Sequence, residues 1–249
     1  MSKTDIEWAD FTINPVVGCT KCSPGCDRCY ALSMARRLAA SPNPKVAAKY
    51  TGVVKDGNWT GNINYDPFVL KKEKLPSKPS RIFVGSMCDL FHEHMKMKNA
   101  ADLLCTLEEH PQHTFLLLTK RPQLAQYWFN NKCIAPNIWL GVTVCNQQEA
   151  DEKIPLLLNT PAAKRFISIE PMLGKIDIYW RAWNNTRFVN CLDWVIVGGE
   201  TGPGARPMDA DWARTIRDQC QAAQVPFFFK KMGGKKPTPD DLMIREVPR

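Results

Sequence analysis

The sequence contains no apolar run approaching the roughly 18–20 residues of a membrane span, and its first residues, Met1 to Asp10, hold no basic segment followed by an apolar one. Both absences predict a soluble, cytoplasmic protein with no membrane partner. Low-complexity tracts are lacking as well. With 44% hydrophobic and 23% charged residues, the 249-residue chain has ordinary globular composition, which excludes disorder and a collagen-like fibre. A chain of this length buries about 70–75% of its unfolded surface, so its core needs no covalent staples. Histidine is scarce: His92, His94, His110 and His113 are the full set, and none stands at metal-ligand spacing with a cysteine group. They read as ordinary surface histidines.

Cations are in moderate excess, with Lys+Arg 33 against Asp+Glu 25 giving a formal +8. That balance raises the local concentration of polyanions such as nucleic acid, or of phosphorylated small molecules. Much of it sits in short runs (Lys71, Lys72, Lys74, Lys78, Arg81; Lys230, Lys231, Lys235, Lys236), and the plainer reading is a solvated basic face. Ten cysteines would imply a disulfide framework in a small secreted chain, but not at this size. Cys88, Cys105, Cys133, Cys145, Cys191 and Cys220 are scattered and read mostly as small buried apolar groups. Cys19, Cys22, Cys26 and Cys29 fall within eleven residues.

Short apolar or β-branched runs recur along the chain at Ile13–Val17, Arg81–Gly85, Phe115–Thr119, Ile138–Val144, Phe166–Glu170, Trp194–Gly199 and Val225–Lys230. After the first gap their starts lie 23 to 34 residues apart, the length of a strand and a returning helix. Phe115–Thr119 and Trp194–Gly199 are apolar on both alternating sets of positions, as parallel strands covered on both faces are. Among the intervening helices Asp209–Ala223 is clearest, with Asp209 as N-cap and Trp212, Ile216, Cys220 and Ala223 in one stripe. Ala31–Ala40, Asn99–His110 and Gln147–Asn159 follow the same logic. Seven such repeats with right-handed crossovers predict an α/β fold, a full or partial parallel (β/α) barrel; an open doubly wound sheet is the alternative. Either architecture places a ligand at the carboxyl ends of the strands. The whole chain, 1–249, reads as one domain. Residues 41–80, rich in Pro and Lys, form an insertion after the first helix, with a hairpin around Gly52–Asn64, and 233–249 reads as an extended, peripheral tail.

The strongest chemical signal is the loop Gly18-Cys19-Thr20-Lys21-Cys22-Ser23-Pro24-Gly25-Cys26-Asp27-Arg28-Cys29-Tyr30 between the first strand and the first helix. Thiolates this close on a bent loop can converge on one inorganic centre; the plainer readings are a zinc knuckle or a set of free thiols. Zinc ribbons keep more chain between their two cysteine pairs, whereas a [4Fe–4S] cluster tolerates the crowding. If all four cysteines bind, the cluster is closed and carries electrons; if three bind, one iron is left open to a small molecule.

The spacing Cys22-x3-Cys26-x2-Cys29, placed after strand one of a barrel rhythm, resembles the motif of the radical S-adenosylmethionine (radical SAM) superfamily. The resemblance implies a radical-SAM-type barrel whose [4Fe–4S] cluster, held by three cysteines, chelates S-adenosylmethionine through its fourth iron and cleaves it to a 5′-deoxyadenosyl radical. A closer resemblance spans most of the chain. Asn14-Pro15-Val16-Val17-Gly18-Cys19, Ser23-Pro24-Gly25-Cys26, Cys29-Tyr30-Ala31, Leu118-Thr119-Lys120-Arg121-Pro122, Ile169-Glu170-Pro171 and Val197-Gly198-Gly199-Glu200 are similar to a radical-SAM-like family of phages and bacteria. That family usually has its first cysteine at the Cys19 position and another residue at the Cys22 position. This chain has both, so the third ligand beside Cys26 and Cys29 is Cys19 by the family pattern and Cys22 by the superfamily spacing.

The resemblance bears on the residues around the last cysteine and after strand two, and the other candidates are read from their places at the strand ends. Superfamily members often carry an aromatic residue before the last cysteine, against adenine; here Arg28 stands there, and Tyr30 either substitutes or packs under the loop. Ser86 and Asp89 follow strand two, where relatives bind the ammonium of S-adenosylmethionine, though Ser or Asp in such a loop also serves as a helix N-cap. Lys120 and Arg121, after strand three, would pair with a ligand carboxylate or phosphate. Thr143 and Asn146 would contact ribose. Glu170 needs a ligand or an internal Lys or Arg partner. The Gly198-Gly199-Glu200 loop permits close backbone approach. Trp59 and Tyr65, in the lysine-rich insertion, offer stacking surfaces to a base.

These features predict an iron–sulfur enzyme acting by hydrogen abstraction on a substrate such as a nucleotide or DNA base, in modification or repair, with a flavodoxin- or ferredoxin-like reductant. The alternative is a nucleic-acid-binding protein with a structural zinc or cluster and no radical chemistry. A third reading is an electron carrier using all four loop cysteines.

Overall fold

A strand such as Thr114–Thr119, apolar along most of its length, is stable only when both of its faces are covered. In the computed structural model, which describes residues 2–4, 6–72, 75–130, 134–179 and 188–248, helices cover one face and an inner aromatic cluster the other. Lys74 and Cys133 lie outside the described residues. The strands are Ser2–Lys3 (β1), Phe11–Ile13 (β2), Val16–Val17 (β3), Val54–Lys55 (β4), Asn58–Trp59 (β5), Asn64–Tyr65 (β6), Arg81–Val84 (β7), Thr114–Thr119 (β8), Ile138–Thr143 (β9), Lys164–Ile169 (β10), Trp194–Val197 (β11) and Phe227–Phe229 (β12). The helices are Tyr30–Ala39 (α1), Pro44–Lys49 (α2), Val69–Lys72 (α3), Met97–Glu108 (α4), Pro122–Asn130 (α5), Gln147–Leu158 (α6) and Ala210–Ala223 (α7).

The main sheet runs β1-β2-β7-β8-β9-β10-β11-β12. Its seven strands from β2 onward are parallel, and β1 is an antiparallel edge. Each parallel strand therefore pairs with the next one in the main sheet. Right-handed crossovers in that order put the helices on one face, and the sheet curls away from them into a partial (β/α) barrel. This excludes the doubly wound alternative, which would need the order to reverse at an internal strand. The barrel is partial because β12 does not pair back to the first strands.

Side-chain alternation divides the strands cleanly. Ile82, Val84, Phe115, Leu117, Ile167, Ile169, Val195 and Val197 face the outer core shared with α4, α6 and α7. Phe83, Leu116, Phe166, Trp194, Ile196 and Phe228 face inward, with Trp8 packed among them. Gly141 belongs to this inner packing, since a Cβ there would lie 2.4 Å from the Phe166 ring.

The expected strand Ile13–Val17 is broken. Pro15 lacks an N–H for the ladder; β2 stops at Ile13, and Val16–Val17 pair instead with Asn64–Tyr65 of the insertion. Within the insertion, the β4–β5 hairpin turns on Asp56 and Gly57, both at positive φ, as a two-residue hairpin loop requires. Tyr50 and Val53 pack on Val17, Ala31 and Ala35, so the insertion is docked against α1. The C-terminal segment is less peripheral than its prolines suggest. The Phe229 N–H donates to the Ile244 carbonyl (2.9 Å), the Glu246 N–H donates to the Phe227 carbonyl (3.1 Å), and Leu242 is fully buried, so this segment shields the β12 edge. No helix among the described residues is long and apolar enough to cross a membrane.

Candidate active site

The cysteine loop leaves β3 through Gly18, whose φ of +105° and whose closeness to the Asn62 carbonyl, 2.1 Å from a would-be Cβ, leave no room for a side chain. The Ser23 hydroxyl accepts from the Gly25 N–H (3.2 Å) and starts a short 3-10 turn, Pro24–Cys26. Cys29 then caps α1. Cys19, Cys22, Cys26 and Cys29 all line one cavity of about 680 Å3 at the carboxyl ends of the strands. None is in a disulfide. Cys22 and Cys26 lie close enough to act on one another: their interaction holds the Cys26 thiol low, with help from Lys120, and pushes Cys22 up. Burial, with the negative charge of Asp89, pushes Cys19 up to about 11.

As a donor set, four clustered thiols fit an iron–sulfur centre. Bound metal draws its cysteines as thiolates and so relieves the repulsion of gathering them. No group of three His, Cys, Asp or Glu side chains among the described residues is gathered tightly enough to grip a single metal ion.

Two ion-pair networks, one on each flank, anchor this loop. Asp89, almost fully buried, accepts from the Thr119 hydroxyl (2.7 Å), the Lys120 N–H (2.9 Å), the Phe91 N–H (3.1 Å) and Arg121 Nη1 (3.2 Å). Arg121 donates through Nε to Glu93 (2.8 Å) and through Nη2 to the Thr20 hydroxyl, inside the cysteine loop. On the other flank Glu200 receives two hydrogen bonds from the Arg206 guanidinium, whose Nη2 also donates to the Pro24 carbonyl (3.0 Å). These bonds, against the opposing effect of burial, hold the Glu200 carboxyl below its usual value. Asp89, Arg121 and Glu200 thus line the cavity with their charged atoms engaged by other protein groups.

Lys120 differs. Its ammonium has no hydrogen-bond or ion-pair partner among the described residues, and although burial works against its charge, the nearby Cys26 and Asp89 outweigh that and raise its pKa above the usual value. It is the basic group after β8 best placed to meet an incoming anion.

The remaining expected residues separate into two groups. Tyr30, Ser86, Thr143, Glu170 and Gly199 line the cavity. Tyr30 donates to the Ser86 carbonyl (3.0 Å), and the Ser86 hydroxyl donates to Asn14 (3.1 Å). Glu170 has its internal partner in Lys230 (2.6 Å). Gly199 packs against Gly233, whose nitrogen lies 2.2 Å from a would-be Cβ. Asn146 and Gly198 are not brought to the cavity wall. Asn146 caps α6 by accepting from the Glu149 N–H (2.9 Å), and Gly198 makes room for the Glu170 side chain. Trp59 reaches the wall and Tyr65 does not.

Sequence reading passed over Trp8, Asn14, Lys230 and the inward polar positions Thr12 and Ser168. A signal was present: Thr12 and Ser168 interrupt apolar strands on the face opposite Ile13, Ile167 and Ile169. Cys88 also lines the cavity, and Cys145 sits beneath the loop, 3.7 Å from the Ser23 hydroxyl. His92 and His113 are buried, not at the surface, and His92 contacts the Thr20 hydroxyl (2.9 Å).

No curated protein matches the sequence. Among solved structures, a mutant of spore photoproduct lyase is similar at a TM-score of 0.45 and 9% identity, over 90% of this chain; the chain spans 64% of that protein's length. Residues 3–245 match the model of DUF5131, described as a protein of unknown function, and the chain belongs to that family.

Proposed function

We propose that the protein is an iron–sulfur enzyme of the radical SAM type. The observation that carries this reading is the gathering of four loop thiols and an unpaired lysine in one cavity at the carboxyl ends of a parallel barrel. Cys26 and Cys29, with Cys19 or Cys22, would hold a [4Fe–4S] cluster. When bound, that cluster would supply the electron that cleaves S-adenosylmethionine. Lys120 would bind the ligand's carboxylate. Thr143, with its hydroxyl at the inner rim, would meet the ribose. Asp89 with Arg121, and Glu200 with Arg206, would keep the loop in register with the strand ends. Tyr30, Met34 and Trp59, on α1 and the insertion, would shield the cavity from water. The substrate is proposed to be a nucleotide or nucleobase, and a flavodoxin- or ferredoxin-like protein the reductant.

Anaerobic reconstitution tests the reading. Iron and sulfide should be retained in near-equal amounts, and dithionite with S-adenosylmethionine should yield 5′-deoxyadenosine. Cys26→Ala and Cys29→Ala should each abolish that product, while Cys19→Ala and Cys22→Ala, made separately, identify the third ligand. A folded protein that takes up one zinc and no iron would instead support a structural metal in a nucleic-acid-binding protein. A cluster capped by four thiolates that ignores S-adenosylmethionine would mark an electron carrier.

A further inference from the structure

Below the cysteine loop, the wall of the same cavity changes character. Trp8 Nε1, Thr12 Oγ1 and Ser168 Oγ are buried polar atoms with no hydrogen-bond partner among the described residues, and all three residues line the cavity. Each residue is more than nine-tenths buried. They come from the segment before β2, from β2 and from β10, so the curl of the sheet, not proximity in sequence, brings them to one chamber. Three unsatisfied polar atoms on residues that line one cavity are uncommon in a folded protein, where buried polar atoms are nearly always paired.

We propose that Trp8, Thr12 and Ser168 form a substrate subsite for an uncharged, planar nitrogen heterocycle of nucleobase type. The indole N–H can only donate, so the ligand must present an acceptor to Trp8. The two hydroxyls donate or accept, which suits a ring edge carrying both carbonyl and N–H groups. Phe83 stands beside Thr12 in register, and Ile6 and Leu118 complete an apolar wall that suits the faces of a ring. Trp8 is held in place by Phe83 at 4.8 Å and by Phe166 and Trp194, each at 6.4 Å between ring centres. A phosphate or carboxylate fits this end poorly: the nearby cation, Lys230, is already paired with Glu170 at 2.6 Å. An aliphatic group would leave all three polar atoms desolvated and unpaired.

The inference rests on the cavity's being an enzyme's active site, but its test needs no cluster. Binding of adenine, uracil, thymine and their nucleosides would be measured calorimetrically on the full chain, as purified and after reconstitution, with ribose 5-phosphate and S-adenosylhomocysteine as further probes. At least one base or nucleoside should bind, and Thr12→Val and Ser168→Ala should each weaken it about tenfold while leaving thermal stability unchanged or raised. Trp8→Phe, which keeps a ring and removes the donor, should act in the same direction. Binding of S-adenosylhomocysteine should be unaffected by Thr12→Val and Ser168→Ala. The proposal is overturned if no base or nucleoside binds, if only ribose 5-phosphate does, if the substitutions leave base binding intact, or if they weaken S-adenosylhomocysteine equally, which would assign the subsite to the cofactor. Base binding that persists in a chain unable to hold iron would sink the cluster reading and leave the subsite standing.

Discussion

The two faces of the one parallel sheet contrast sharply, although the same strands build both. The outer face is Ile, Val, Leu and Phe along most of the strands, closed by α4, α6 and α7, and among its buried strand residues turns polar only at Thr119, the last residue of β8. The inner face mixes Phe83, Phe166 and Trp194 with Thr12, Thr143 and Ser168 and opens into the cavity. Successive residues such as Ile167 and Ser168 thus serve different ends: one supplies the hydrophobic burial that stabilises the fold, the next gives up part of that burial to present a hydroxyl to the cavity.

Substitutions can sharpen or break this comparison. The largest effect belongs on the outer face: Phe115→Ala should cost about 3–5 kcal/mol in denaturant unfolding, without altering the affinity of a ligand bound from the inner side. A comparable loss in ligand affinity would show that the faces are not separable. Arg121→Met should cost about 3 kcal/mol by leaving the buried Asp89 carboxylate unpaired. It should also free the cysteine loop at Thr20, read as faster hydrogen exchange or proteolysis there, a change absent from Phe115→Ala. On the inner face, Gly141→Ala should cost about 1–3 kcal/mol, because its methyl would collide with the Phe166 ring.

The smallest effect concerns the flank of the loop. Arg206 holds the folded-state pKa of Glu200 below its ordinary 4.5, so the pair's contribution is fully present above that value and lost as pH falls through the lowered one. Glu200→Gln should remove about 1 kcal/mol near neutral pH and flatten the acid limb of the stability profile. An acid limb of unchanged slope would locate the titration elsewhere.

Much of this was legible in the sequence. Runs apolar on both alternating sets, spaced for a returning helix, announced a parallel α/β sheet, and four cysteines in eleven residues marked a loop that the structure brings to the cavity. Asp209 capped its helix as expected, accepting from the Asp211 N–H (3.0 Å). Pro15 was the visible reason for the first strand to stop early, yet the partner of the displaced Val16–Val17 lay 47 residues on, in the insertion, where local patterning carries no information. Candidate site residues fared unevenly for the same reason. Asp89, Arg121 and Glu200 were marked as charged residues at strand ends, but the partners that engage them could be known only from the fold.

What the amino-acid order determined alone was local: strand and helix periods, the turn glycines at positive φ, the spacing of the thiols. Closure was settled by the tertiary structure, which left β12 unpaired to the first strands and covered its edge with the C-terminal segment. It also decided which charges pair, leaving the Lys120 ammonium without a hydrogen-bond or ion-pair partner among the described residues, and brought Trp8, Thr12 and Ser168, each with an unpaired buried polar atom, to the wall of one cavity. The physical reason is that propensity and spacing act over a few residues, whereas burial, pairing and desolvation depend on neighbours that only the curl of the sheet brings together.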